Sequence, residues 1–166
     1  LKPILKIKQN KKILIIGDIL FSETDKILFF LSNVKKNLKN YSFYLKPHPT
    51  MTLKSINIFK QKYSFIKIVS NNSENFKNFE FVICSNGTSA ILDCITQNLN
   101  FCSIKPLDSL NLYPIEKYQS VYQVKTHKDL IFRIKYKKKL KKIKIFETRK
   151  NLDRFLRIFV NSRKRN

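Results

Sequence analysis

Glycine is nearly absent. Only Gly17 and Gly87 occur among the 166 residues, so each marks a place where the backbone needs positive φ or a close approach, or else an ordinary strand-to-helix turn. Cysteine is scarce and odd in number. Cys84, Cys94 and Cys102 show no C-x-x-C pair and no Cys/His spacing, which argues against a disulfide framework and against a zinc site. Buried, reduced thiols of a cytosolic protein are expected. No apolar run approaches the ~18 residues of a membrane span. The opening "LKPILKIKQNKK" lacks both an initiator Met and a signal-peptide apolar region. Residues 1–11 therefore read as a linker entering a domain, and the chain as the C-terminal part of something longer.

Acid is scarce too. Eleven Asp and Glu face 34 Lys and Arg, for a net charge of +23. Only six of the basic residues are Arg; the lysine and asparagine excess suits an AT-rich genome and a solvated surface. The charge also fits an anionic partner, whether nucleic acid, an anionic membrane or phosphorylated substrates. It is uneven: residues 133 to 166 hold fifteen Lys or Arg against Glu147 and Asp153. The segment 137–166 is expected to be a basic tail, ending in an amphipathic helix with Phe155, Leu156, Phe159 and Val160 on its apolar side. That tail either docks on an anionic bilayer or packs back on the domain. No aromatic-interleaved basic motif is present, so no specific nucleic-acid role is expected.

What is present is alternation. "KKILIIGD", "YSFYLKPHP", "FIKIVS", "FEFVICSNG", "NFCSI" and "SVYQV" read as strands, the apolar ones buried on both faces. "SETDKILFFLSNVKKNL", "TLKSINIFKQKY", "TSAILDCITQN" and "THKDLIFRIKYKKKL" read as helices between or after them. Ser22 or Thr24 can cap the first, and Leu53, Ile56 and Phe59 give the second its apolar face. Residues 12–136 are thus expected to form one α/β domain, Rossmann-like and doubly wound, with a mostly parallel sheet and helices on both faces. Ligands of such sheets bind outside the carboxyl ends of the strands.

Two motifs stand at those ends. After the fourth strand come Ser85, Asn86, Gly87, Thr88 and Ser89, then a helix. Hydroxyls and unpaired helix-start amides can cradle a phosphate, although Ser85 or Thr88 can equally serve as a simple N-cap. The G-x-x-x-x-G-K pattern of a Walker loop is absent. After the second strand comes "LKPHPT". Lys46 offers a point charge, His48 can donate a hydrogen bond to an oxyanion, and Pro47 and Pro49 restrict the turn. Gly17 and Asp18 face the same edge from the end of the first strand.

In order and spacing, "LKPHP" and "CSNGTSAILDC" resemble motifs of the donor-binding, C-terminal half of GT-B-fold glycosyltransferases that build bacterial surface carbohydrate. The similarity lies with the sialyl-, polysialyl- and Kdo-transferases that use CMP-sugars; teichoic-acid glycerophosphotransferases, which use CDP-glycerol, carry related motifs. It covers about residues 12 to 105. The resemblance implies that His48 contacts the donor's phosphate and nucleotide, that Ser85, Thr88 and Ser89 hold that phosphate, and that Asp93 lies near the ribose. Relatives usually carry Gly then Pro after this helix, where Asn98 and Asn100 stand here; Asn98 suits a left-handed C-cap. The resemblance further implies a separate N-terminal acceptor domain supplying the general base; with no metal-ligand cluster in the sequence no metal or other cofactor is expected, and the protein is expected to be cytoplasmic and peripheral to the membrane. The alternatives are a CDP-glycerol-type glycerophosphotransferase domain and a non-catalytic basic polyanion-binding module.

Overall fold

The computed structural model describes residues 11–69, 76–105 and 122–136. Residues 1–10 of the expected linker, Ser120 and Val121 of "SVYQV", and the basic tail lie outside these residues, while Lys11, placed in the linker by the sequence, opens the first strand.

Six strands form one sheet: β1 (Lys11–Ile16), β2 (Tyr41–Lys46), β3 (Ile66–Ile68), β4 (Phe81–Ser85), β5 (Phe101–Ile104) and β6 (Gln123–Val124). Their order is β3-β2-β1-β4-β5-β6 and every pairing is parallel. The helices are α1 (Phe21–Val34), α2 (Leu53–Lys62), α3 (Ala90–Thr96) and α4 (His127–Tyr136). Parallel neighbours need crossovers, and the crossovers explain the burial pattern. Ile13, Ile15 and Ile83 pack with Ile27, Leu31, Phe59, Leu130 and Ile134 from α1, α2 and α4 on one face. Leu14, Val82 and Phe101 pack with Ile91, Cys94 and Ile95 of α3 on the other. The fold is the expected doubly wound, Rossmann-like α/β sheet.

Helix starts follow local chemistry, with two departures from expectation. The Thr52 side chain caps α2 by accepting from the Ser55 N–H at 3.2 Å. For α1 neither Ser22 nor Thr24 is the cap, because both lie inside the helix and Leu20 precedes it. Thr24 instead turns its hydroxyl back to accept from the Asp18 N–H at 2.9 Å. Leu53 departs as well: at the first position of α2 it is 80% exposed, while Phe59 is fully buried.

Beyond α3, Asn98 adopts φ 54, the left-handed conformation expected of it. Its N–H donates to Ile95 O at 3.1 Å and the Leu99 N–H to Cys94 O at 2.9 Å, the paired bonds of a Schellman ending. Asn98→Gly relieves the cost of holding a side chain at positive φ and is expected to stabilise the domain by about 0.5 kcal/mol. Asn98→Val is expected to destabilise it by at least 1 kcal/mol, roughly. Urea denaturation of both variants checks the sign.

Candidate functional site

The chain runs from β1 outward to β3, then returns to place β4 on the other side of β1. The crevice between the carboxyl ends of β1 and β4 is therefore the switch point of the sheet. Gly17 and Asp18 leave β1 there, "PHPT" leaves β2 one strand away, and Asn86 to Ser89 leave β4.

Gly17 holds the histidine turn against β1. Its N–H donates to Lys46 O at 2.9 Å, and a Cβ at this position would lie 3.3 Å from His48 N and 3.4 Å from Pro47 Cα. Close backbone approach, rather than positive φ, is what glycine provides here. The turn itself closes when the Met51 N–H donates to His48 O at 2.9 Å. Pro49 then occupies the second position of a four-residue turn, where its fixed φ is favourable. The imidazole is anchored in turn. Thr50 N–H donates to His48 Nδ1 at 3.3 Å, and Thr50 Oγ1 lies 2.8 Å from the same nitrogen. A backbone amide can only donate, so in the neutral ring Nδ1 is the acceptor and Nε2 carries the proton. Nε2–H is left to meet a ligand.

Asp18 ties β1, α1 and β4 together. Its Oδ1 accepts from the Leu20 N–H at 3.0 Å, and its Oδ2 accepts a short hydrogen bond from the Ser85 hydroxyl. Asp18 is 8% exposed and Ser85 is buried. Asn86 is buried as well, and its Oδ1 accepts from Gln123 Nε2 on β6 at 2.8 Å. Two members of the serine motif are thus engaged inside the protein. Thr88 Oγ1 accepts from the Ala90 N–H at 3.3 Å, an N-cap-like contact at the start of α3. Gly87 and Ser89 are exposed and Thr88 half-buried, so these three stand at the solvent side of the crevice. The loops after β2 and β4 leave strands two spacings apart, about 10 Å, a gap of nucleotide-phosphate size.

Lys46 turns away from that gap: its ammonium lies 5.0 Å from the centroid of the Phe76 ring. Asp93 is exposed on α3 and is not joined to the other candidates by any side-chain hydrogen bond or ion pair. Thr24, expected as a helix cap, supports Asp18 instead, and Thr50 and Gln123 join the site without an expectation from the sequence. Of these only Thr50 had a local signal, a hydroxyl two residues beyond the histidine in a proline turn. Lys105 and Lys125 were missed too; they follow the register pair Ile104 and Val124, which sets them side by side at the rim.

The cysteines behave as small apolar residues. All three are buried and free, with Cys84 Sγ 3.8 Å from Cys94 Sγ between β4 and α3. The contact with Cys94 and burial push the Cys84 thiol well up, and burial pushes Cys102 up.

No protein-family model matches the chain, and no curated protein matches it.

Proposed function

We propose that this domain binds the nucleotide phosphate of a sugar donor at the carboxyl rim of the switch point, and that it is the donor half of a glycosyltransferase of bacterial surface-polysaccharide synthesis, capsule or lipopolysaccharide, using a CMP-sugar. The observation that carries the reading is His48: a turn pinned on Gly17 and an imidazole pinned by Thr50 leave Nε2–H free beside the switch point. In this reading His48 donates to the departing nucleotide's phosphate oxygen, and Gly87, Thr88 and Ser89 line the other side of that phosphate. Lys46 swings from Phe76 to add charge, and Asp93 accepts from ribose hydroxyls. Ser85, Asn86 and Asp18 act from behind by fixing the two loops. Stabilising charge on a leaving phosphate is often the largest catalytic effect available. The acceptor and its general base belong to a separate N-terminal domain, and the protein works at the cytoplasmic face of a membrane. Among the described residues no helix is long and apolar enough to cross one.

Titration calorimetry with CMP, CDP, UMP and AMP tests the reading. CMP is expected to bind best, and His48→Ala to weaken it by about tenfold or more, the worth of one charge-assisted hydrogen bond. Thr50→Val is expected to cost a smaller factor that Thr50→Ser restores. A preference for CDP moves the assignment to a glycerophosphotransferase of the CDP-glycerol type on the same fold. Equal weak binding of all four that salt abolishes leaves only charge attraction.

A further inference from the structure

Both faces of a doubly wound sheet are normally covered, yet among the described residues no helix lies over β2 and β3 on one face. On the face that α3 covers over β4, β5 and the apolar end of β1, strands β2 and β3 meet Val69 and the segment Phe76–Phe79 among the described residues, with the Phe79 ring 5.6 Å from that of Tyr44. The register puts Lys12 beside Ser42, Tyr44 between Leu14 and Lys67, and Lys46 beside Ile16 on this face. Lys12 and Lys67 are exposed, from strands on either side of Tyr44, and both ammoniums lie 5.7 Å from the centroid of its ring. Lys12, Lys46 and Lys67 form no ion pair among the described residues. Here lysine stems cover an aromatic ring, and three ammoniums collect that form no ion pair with a carboxylate of the described residues.

We propose that this face is a docking surface for single-stranded nucleic acid, with phosphates held by Lys12 and Lys67 and a base stacked on Tyr44. Charge selects a polyanion. The surroundings select among polyanions. Among the described residues every exposed large apolar side chain, Leu20, Phe29, Leu53 and Phe132 among them, lies on α1, α2, α4 or the loop before α1, so none of these is on this face to enter a bilayer. Among the described residues no helix or hairpin projects from it to enter a duplex groove. A sheet surface with an aromatic ring between cations suits unpaired bases, because every base has a stacking face. As phosphates draw the two ammoniums off the ring, the base takes their place. The site is separate from the nucleotide site proposed at the switch point and stands without it.

Fluorescence polarisation of a labelled oligothymidylate on the full chain, with circular dichroism of each variant, tests this. Lys12→Gln with Lys67→Gln is expected to lower the salt dependence of binding by about 1.4 in log–log slope, two single-strand phosphate contacts. Lys36→Gln with Lys39→Gln, exposed at the other end of β2, should leave the slope unchanged. An abasic strand of equal length should bind the wild-type chain about tenfold more weakly than oligothymidylate, the scale of one lost stack, and Tyr44→Leu should abolish that difference. Equal slopes for the two lysine pairs mean diffuse charge and overturn the proposal. Equal affinity for abasic and intact strands rejects the base contact, whether or not Tyr44→Leu folds. Lysine-dependent binding to phosphatidylserine vesicles without binding to the oligonucleotide assigns the face to a membrane instead.

Discussion

Asp18→Ala is expected to lower the unfolding free energy by about 3 kcal/mol, a large part of the ~5–15 kcal/mol that holds a domain folded. The carboxylate accepts from the Leu20 N–H and the Ser85 hydroxyl. Removing it strands the buried Ser85 hydroxyl, which costs about 1–3 kcal/mol, and takes the partner from the Leu20 N–H at the start of α1, a smaller loss because Leu20 is exposed to water. Asp18→Asn keeps an oxygen for Leu20, and its amide can donate to a reoriented Ser85 hydroxyl, so about 1 kcal/mol is expected. Ser85→Ala takes the buried donor from the carboxylate and should cost about 2 kcal/mol. Urea denaturation of the single variants and of Asp18→Ala with Ser85→Ala closes a cycle. Additive losses would mean that the two side chains do not depend on each other and that the link between β1 and β4 lies elsewhere.

The second large effect is alkaline. Cys84 and Cys102 are held above their ordinary thiol value of 9.0 in the folded protein. A group with a raised folded pKa contributes its full stability below its unfolded pKa and loses it as pH rises toward the folded one. The unfolded chain gives up these protons near pH 9.0 while the native chain keeps them, so stability should fall from there at about 1.4 kcal/mol per pH unit for each thiol. Tyr63 adds a fall of the same sign above 10.0, because burial and the Asp25 carboxylate raise its pKa. Urea curves from about pH 8 to about pH 10.5 measure the slope; replacing Cys84 and Cys102 with alanine should flatten it. Below the transition the same burial should slow labelling of all three thiols by a thiol reagent by at least ~10³-fold relative to the unfolded chain. Rapid labelling of the native protein would contradict the packing of β4 against α3.

These two expectations use contacts the sequence does not display. The sheet was legible because β1 and β4 centre on the apolar runs "ILII" and "FVIC", as strands buried on both faces require. The helices were legible from their intervals, and Asn98 from its place after α3. Tertiary pairing was not legible. Ser85 reads as one more phosphate hydroxyl until the register of β1 with β4 brings it to Asp18, 67 residues away. Asn86 reads the same way until β6 brings Gln123 to it across 37 residues. Thr24 looks like a cap because a threonine near a helix start usually is one; the turn after β1 needed its oxygen more. Leu53 fits the apolar period of α2, but at the first helical position it has no neighbouring element to pack on. Lys12 and Lys67 are 55 residues apart in the chain, so nothing local announces that they share one ring.

Among the described residues the sheet's two borders are its shortest strands, β3 with three residues and β6 with two. An edge strand offers unpaired amides and carbonyls to any other extended chain, and the offer grows with its length. β1 and β4, six and five residues long, lie inside the sheet with both sides paired. The segment most able to template aggregation is thus sealed. Lys67 at the centre of β3 adds like-charge repulsion between copies on one border. The strand order therefore keeps a chain of strongly apolar strands from adding to a neighbour's sheet.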